Sequence, residues 1–336
     1  MPEKMWVPPP PASRPDSRKA PRGLRPARAP RHKSAGRAVT LLATLVVALG
    51  LLAICLVALL AAPAFSSLGD GGRTNLLLLG IDRREGTGWA YRTDTIVIVT
   101  VDPGSGAAGM LSIPRDLQLL IPGYGEDRIN TANVWGYRED DPEAGPAMLK
   151  ATIDANFGIP IDGYLMVDFS TFVKIVDALG GIDVDVPKTL HDTRYPDPRP
   201  GDLYAFKTIH FDPGLQHMDG TRAIEYARSR MSTTDFDRAK RQQLVLLAIR
   251  HRALSLGAVP RWPSLAAAVI KGAKTDLGPG DLLTMALLAA RIDPSALRQV
   301  VLEHPYVVSY ERADGAAVQL PDWNLINPVI DELFGP

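Results

Sequence analysis

A single cysteine, Cys55, is all that the 336 residues contain, which excludes an intramolecular disulfide and any Cys-based metal centre. Cys55 also lies inside an apolar stretch, so thiol chemistry is excluded from the polar part of the chain. Histidine is scarce, with six residues and no HExxH spacing, and neither a GxSxG elbow nor a Walker A loop is present. Zinc-hydrolase, serine-hydrolase and P-loop chemistries therefore have no basis here. Net charge is absent as well, with 37 Lys and Arg against 37 Asp and Glu, yet the charges are unevenly placed. Residues 1–37 hold ten Lys and Arg against Glu3 and Asp16, a net of +8, so the remainder carries about −8. A basic cluster in that remainder is a local feature against an acidic background.

What the sequence does have is one long hydrophobic run. Residues 38–62 (AVTLLATLVVALGLLAICLVALLAA) contain no charge and no proline. As a helix at ~1.5 Å per residue the run reaches about 37 Å, enough for a bilayer core of ~30 Å. Core helices of soluble proteins rarely stay apolar on every face for so long. A cleaved signal peptide has a shorter apolar region and a shorter basic arm. The run therefore predicts a single-pass, uncleaved signal anchor in the cell membrane. By the positive-inside rule the tail 1–37 stays cytoplasmic and the C-terminal part is extracytoplasmic. The tail is rich in Pro and Arg and has no apolar periodicity, so it reads as disordered. Topology and contact with anionic membrane lipid account for its charge. With no folded reader, no nucleic-acid partner is expected.

Residues 63–74 (PAFSSLGDGGRT) form a linker that reaches about 40 Å at most, so the globular part, 75–336, is expected near the bilayer surface. Its size suits one large domain. Apolar or alternating runs predict strands at 75–81, 95–101, 108–113, 163–167, 182–187, 206–211 and 298–303. Helical periodicity predicts helices at 142–157, 169–179, 219–229, 235–256, 261–273, 278–291 and 322–334. This order implies an α/β fold, a mixed central sheet with helices on both faces. The Pro-, Asp- and Arg-rich segment 190–205 reads as a surface loop. The turn at Asp102–Gly106 predicts an antiparallel meander of the first three strands, which brings Asp82, Asp94 and Arg115 to one sheet edge.

Four segments mix Arg and Asp with apolar strands or helices: GIDRR (80–84), YRTDT (91–95), SIPRD (112–116) and EYARSRMSTTDFDRAKRQQ (225–243). In the last, Asp235, Arg238 and Gln242 are spaced i, i+3, i+7 and share one helical stripe. Arg228 and Arg230 fall where the preceding helix should end. Arg forks suit phosphate oxygens, and paired Asp suits an oxygen-seeking cation. Ordinary surface ion pairs are the alternative for any single Arg. As a set these charges interrupt apolar runs, which points to an anion site with a metal.

The four segments, in this order behind one hydrophobic run, resemble the LytR–CpsA–Psr family. The likeness runs from about Asn75 to Arg252. It includes RTDT, SIPRD, the RINTAN segment at 128–133, DALGGIDVDVP at 177–187, GLQHMDGTRAIEYARSR at 214–230 and DFDRAKRQQ. The sequence VWGYREDDPEAGP after Asn133 departs from the family's shorter Gly-rich turn, and nothing beyond residue 256 carries these motifs.

The resemblance implies an LCP-type domain that moves a glycopolymer, with one phosphate, from polyprenyl pyrophosphate to a peptidoglycan hydroxyl. It implies Mg²⁺ (or Mn²⁺) at Asp82 and Asp94, and pyrophosphate contacts from Arg83, Arg92, Arg115, Arg228, Arg230, Arg238 and Gln242. Arg115, Asp235 and Arg238 are the implied catalytic set, with Asp116 a buried brace. The polyprenyl chain needs an apolar groove, for which Phe157, Ile159, Phe169, Phe172, Val173 and Val176 are candidates; ordinary core is the other reading of these six. Hydrolysis of the same lipid-linked donor, or a non-enzymatic regulatory role, are the alternatives to transfer.

Overall fold

The computed structural model describes residues 72–83, 89–198, 202, 204–230 and 234–335. The tail, the expected anchor at 38–62 and most of the linker lie outside these residues. Among the described residues no single helix is long and apolar enough to cross a membrane.

The central sheet has the order β11-β6-β1-β2-β3-β12. Its strands are β1 (Thr74–Ile81), β2 (Thr93–Val101), β3 (Ala108–Ser112), β6 (Gly163–Asp168), β11 (Lys274–Thr275) and β12 (Arg298–Val301). β1, β2 and β3 are antiparallel neighbours, as the turn at 102–106 predicts, while β6 and β12 add in parallel at either side. The sheet is therefore mixed.

The unbroken apolar run of β1 follows from burial on both faces. Leu77, Leu79 and Ile81 join Ile96, Ile98 and Leu111 in the main core. The covering helices on that face are α2 (Ala144–Phe157), through Leu149 and Ile153, and α8 (Trp323–Phe334), through Ile326 and Ile330. On the other face Leu76, Leu78, Val99 and Val101 meet α5 (Asp235–Leu254) and α7 (Pro279–Arg291). A second core joins α3 (Phe169–Ala178), α4 (Gly220–Arg228) and α5 to the strand pair β7 (Ile182–Val186) and β10 (Gly214–Met218).

The seven expected strands and seven expected helices are all present. The segment 190–205 departs from the expected loop: β8 (Leu190–Pro196) pairs antiparallel with β9 (Phe206–Phe211). Leu190, Asp192 and Tyr195 of β8 point inward and the polar residues between them face water, an alternation hidden by the surrounding prolines. Sequence patterning also did not reveal the hairpin β4 (Gln118–Ile121) and β5 (Gly125–Arg128) or the short helix α1 (Ala132–Gly136); a strand pair is expected around 298–310, but β12 pairs with β3 and β13 (Val307–Glu311) pairs with β14 (Ala317–Pro321). The remaining helix, α6 (Trp262–Gly272), follows a 3-10 turn at Leu256–Arg261. Of the apolar-groove candidates, Phe157, Ile159 and Val176 are core residues, whereas Phe169, Phe172 and Val173 are partly exposed.

Candidate active site

Three chain segments converge where β1 ends, β2 begins and β3 ends. Gly80 pairs with Thr95 and Ile81 with Thr93, so Asp94 is an extra, bulged residue in β2. A bulge of this kind re-aims a side chain at a sheet rim. After β3, Ile113 still donates its amide to Ile96 O at 3.0 Å, and the chain then turns at Pro114 with Leu117 N bonded to Pro114 O at 3.0 Å. That turn projects Arg115 over the edge, where its Nη1 donates to Asp94 at 2.5 Å.

The third contributor is the N-terminus of α5. Thr234 caps the helix in a reciprocal box with Asp237, which fixes where its first turn starts. Asp235 opens that turn, and Arg238 one turn on donates to it at 2.9 Å. Asp235 also lies 3.7 Å from Arg115 Nε and 3.9 Å from Arg230 Nε, so one carboxylate gathers three guanidiniums. The helix dipole adds further positive potential at this end.

These groups surround a pocket of about 260 Å³. Asp94, Arg115, Asp116, Asp235, Arg238 and Gln242 line it, with the apolar wall supplied by Ile96, Ile113, Phe236 and Val301. Arg238 is only 6% exposed, and burial pulls its guanidinium down to about 10, although Asp235 opposes the shift. It remains charged at neutral pH. Burial acts on Arg115 in the same direction, but Asp94, Asp116 and Asp235 outweigh it and hold Arg115 above its ordinary value. Arg115 Nε is nonetheless a buried donor with no hydrogen-bond acceptor.

Of the other expected residues, Arg83, Arg92 and Arg228 do not line this pocket, whereas Asp116 does. Arg228 is 3.6 Å from Asp82 and stacks on Phe169, 3.7 Å from the ring centroid. Arg83 is held by Asp168 through Nε at 3.0 Å and Nη2 at 2.6 Å, and lies over Trp89. Arg92 is exposed just before β2. Asp116 is half-buried between Arg115 at 3.3 Å and Arg128 at 3.7 Å, so it braces two arginines at the rim instead of lying in the core.

Two residues without any signal in the pattern fix the helix-to-helix segment between α4 and α5 that carries Arg228 and Arg230. Arg241 is buried and donates to the carbonyls of Tyr226 and Ser229. Asp192 accepts from Ser229 Oγ at 2.7 Å and from Arg230 N at 3.2 Å. An Arg on a polar helix and an Asp in a presumed loop both read as surface charge. Gln243, likewise buried, ties α5 to Ser112 Oγ at 2.8 Å and to Val300 O at 3.0 Å.

Among the described residues no group of three or more His, Cys, Asp or Glu could hold a metal ion. Asp82 and Asp94 offer two carboxylates. Such a pair suits Mg²⁺, which takes its other ligands from water and substrate phosphates.

The profile of the LytR_cpsA_psr family matches residues 62–332. The chain belongs to this family. Among its relatives, the polyisoprenyl-teichoic acid–peptidoglycan teichoic acid transferase TagU of Oceanobacillus iheyensis is 32% identical over 63% of this chain and 61% of its own length. TagV of Bacillus subtilis, of the same description, is 31% identical over 60% of this chain and 49% of its own. The chain thus aligns with less than two thirds of either relative. The solved structure of TagT bound to LIIa-WTA superposes with a TM-score of 0.60 at 25% identity, covering 78% of this chain and 89% of that one. This LytR_cpsA_psr protein therefore shares its α-β-α fold with a relative captured in complex with LIIa-WTA.

Proposed function

We propose that this protein is a membrane-anchored phosphotransferase that moves a glycopolymer, with one phosphate, from polyprenyl pyrophosphate to a hydroxyl of peptidoglycan. The observation that carries the reading is the convergence of Arg115 and Arg238 with Gln242 on one pocket, where a buried Arg115 N–H lacks an acceptor. A pyrophosphate oxygen is the ligand that such a donor set accepts. Membership in a family that contains teichoic acid transferases supports the same class of reaction.

Phosphoryl transfer asks mainly for positioning and charge stabilisation. The acceptor hydroxyl forms a new O–P bond to the phosphorus next to the glycan, and the bond from that phosphorus to the bridging oxygen breaks. Polyprenyl phosphate departs, and the proton released from the acceptor hydroxyl passes to solvent or to that phosphate. Arg115 and Arg238 stabilise the charge that develops on the phosphoryl oxygens, and their partial burial strengthens that effect. Asp235 keeps Arg115, Arg230 and Arg238 pointed at one space. Arg228 and Arg230 flank the entrance, and Gln242 supplies a neutral donor. Asp82 and Asp94 would hold Mg²⁺ (or Mn²⁺), which when bound neutralises pyrophosphate charge.

The polyprenyl chain fits a different cleft from the one patterned in the sequence. An apolar cavity of about 180 Å³ lies between the sheet and α5 and α7, lined by Leu76, Leu78, Val99, Met110, Leu246 and Leu288 among others. It lies under the same helix, α5, whose first turns line the charged pocket. Incubating a lipid-linked oligosaccharide with and without peptidoglycan decides between transfer and hydrolysis. Transfer requires acceptor-dependent product, whereas release of glycan phosphate at the same rate without acceptor defeats it.

A further inference from the structure

The outer face of α6 and of the turn before it bears a surface that the transfer reaction does not use. Leu254, Leu256, Val259, Trp262 and Ile270 are all exposed, Leu256 by 91% and Ile270 by 71%. These five fall within 17 residues that form the end of α5, the 3-10 turn and α6. α6 (sequence WPSLAAAVIKG) buries no residue although it is largely apolar. Contiguous exposed apolar surface marks a site of association with protein or membrane.

Charge distinguishes between those two partners. From Arg238 to Thr275 the chain contains no Asp or Glu and eight Lys or Arg, in a globular part that is otherwise net negative. Arg261 and Lys271 are exposed beside the apolar residues. Asp177, on the α3 helix against which α6 packs, is already bonded to the Gly220 amide at 2.8 Å. Trp and Leu flanked by Lys and Arg is the composition of an interfacial membrane segment, and a protein interface gives no reason for such depletion of acids.

Placement supports the same partner. Asp235 to Gln242 of α5 meet Asp94 and Arg115, whereas Leu246 and Arg250 meet Thr74 and Val101. α5 therefore runs from the charged pocket to the end of the sheet where β1 begins, and the patch starts there; α6 then leads back along the fold, so that Gly272 O accepts from Thr171 Oγ1 at 3.2 Å and Lys274 pairs with Met166 of β6. The chain enters β1 at this end, twelve residues after the apolar run 38–62. The patch is also firmly attached. Trp262 Nε1 donates to Ala253 O at 2.9 Å and Arg252 Nε to Leu179 O at 3.1 Å. The Arg261 guanidinium packs over Gly180, where a Cβ would have no room.

We propose that residues 254–271 form a seat for an anionic lipid surface, with Leu256, Trp262 and Ile270 in the interfacial layer and Arg261 and Lys271 at the headgroups. Lysine and arginine stems can lie along the apolar layer while their charges reach the lipid phosphates. The seat fixes the orientation of the domain relative to the lipid surface.

The test uses the full chain with Cys55→Ser and single cysteines at Leu256→Cys, Ile270→Cys and, on the exposed β13, Tyr310→Cys. Each is labelled with an environment-sensitive fluorophore and reconstituted into vesicles of phosphatidylcholine and phosphatidylglycerol. Labels at 256 and 270 should be quenched several-fold more by lipid-borne nitroxide than the label at 310, and less by aqueous iodide. Omitting phosphatidylglycerol or raising salt should narrow that difference. Equal iodide quenching at all three positions overturns the proposal. So does shielding from iodide without lipid quenching, which assigns the patch to a second copy of the chain or another protein. All three positions are exposed, so the substitutions spare the core, and matched melting temperatures confirm it. The readout involves no turnover and stands apart from the transfer reaction.

Discussion

Arg115 and Asp94 meet at 2.5 Å and tie the end of β3 to the bulge in β2. The pair places the expected phosphate ligand and the expected metal ligand in direct competition, because neither group can serve both partners. Arg115→Ala should lower turnover by about 10²–10³, the usual loss when one stabilising donor is removed from developing charge. Arg115→Lys should not restore it, since an ammonium cannot reach Asp94, Asp116 and Asp235 as a planar fork does. The melting temperature should change little, because the side chain is at the rim. Wild-type rates in the Ala variant would remove Arg115 from the site.

The same competition predicts an opposite effect on metal affinity. Removing Arg115 frees the Asp94 carboxylate, so Arg115→Ala should bind Mg²⁺ more tightly than the unaltered protein. Asp82→Asn and Asp94→Asn should each bind it more weakly. Titration calorimetry with MgCl₂, with no substrate present, reads these changes directly. Unaltered affinity in both Asn variants would place the metal elsewhere.

Arg241 and Asp192 hold the backbone at Ser229 and Arg230 without lining the pocket, so both act as positioning residues. Asp192→Asn should keep the bond from Ser229 Oγ partly in place yet loosen the Arg230 amide. If Arg228 and Arg230 receive the donor as proposed, KM for the lipid-linked donor should rise several-fold with a smaller change in kcat. Arg241→Met should show the same split together with a loss of about 2 kcal/mol in stability, from carbonyls left without a donor. A parallel fall of kcat and kcat/KM would instead place these residues in transition-state stabilisation.

The frame of this site was legible in the sequence because it depends on local signals. Turn residues at 102–106 dictated the meander, and spacing on α5 dictated the stripe of Asp235, Arg238 and Gln242. The ring of supports was not legible. Asp192 looked like part of a loop because Pro196, Pro198 and Pro200 obscured a strand whose partner lies across a long excursion. Arg241 and Gln243 are buried only because α5 packs against α4 and β12, contacts that its polar sequence does not advertise. The six groove candidates were ambiguous for a related reason. Phe157, Ile159 and Val176 have the same spacing whether they line a groove or fill a core, and the tertiary packing assigned them to the core.

Asp168 gives the fold a defined acid response. Burial raises its pKa, but bonds from the Thr171 amide and hydroxyl, Arg83 and Ser170 outweigh this and leave it below the ordinary carboxylate value. A depressed folded value contributes stability that is present above the unfolded pKa of 3.8 and is lost as pH falls through the folded one. Asp168→Ala should therefore cost about 2–3 kcal/mol at neutral pH, through the lost α3 cap and the lost hydrogen bonds from Arg83. The gap between variant and parent should close as pH drops below about 4. Urea unfolding at a series of pH values tests both parts; a gap independent of pH would deny the carboxylate its role.

The apolar cavity under α5 allows the donor's lipid to be tested apart from its pyrophosphate. Ala289 lines this cavity and no charged group of the site touches it. Ala289→Phe should fill much of the space, and because the cavity exists already, the added ring should bury apolar surface at little cost in strain. If the polyprenyl chain occupies this cleft, the variant should raise KM for a long-chain donor by tenfold or more. It should leave a short-chain, water-soluble donor nearly unaffected, because Arg115, Arg238 and Gln242 are unchanged. Equal effects on both donors would mean that the ring has disturbed the charged pocket through α5. No effect on either would mean that the lipid lies along another face of the protein. Only the first outcome supports one helix, α5, serving phosphate at its N-terminus and lipid along its length.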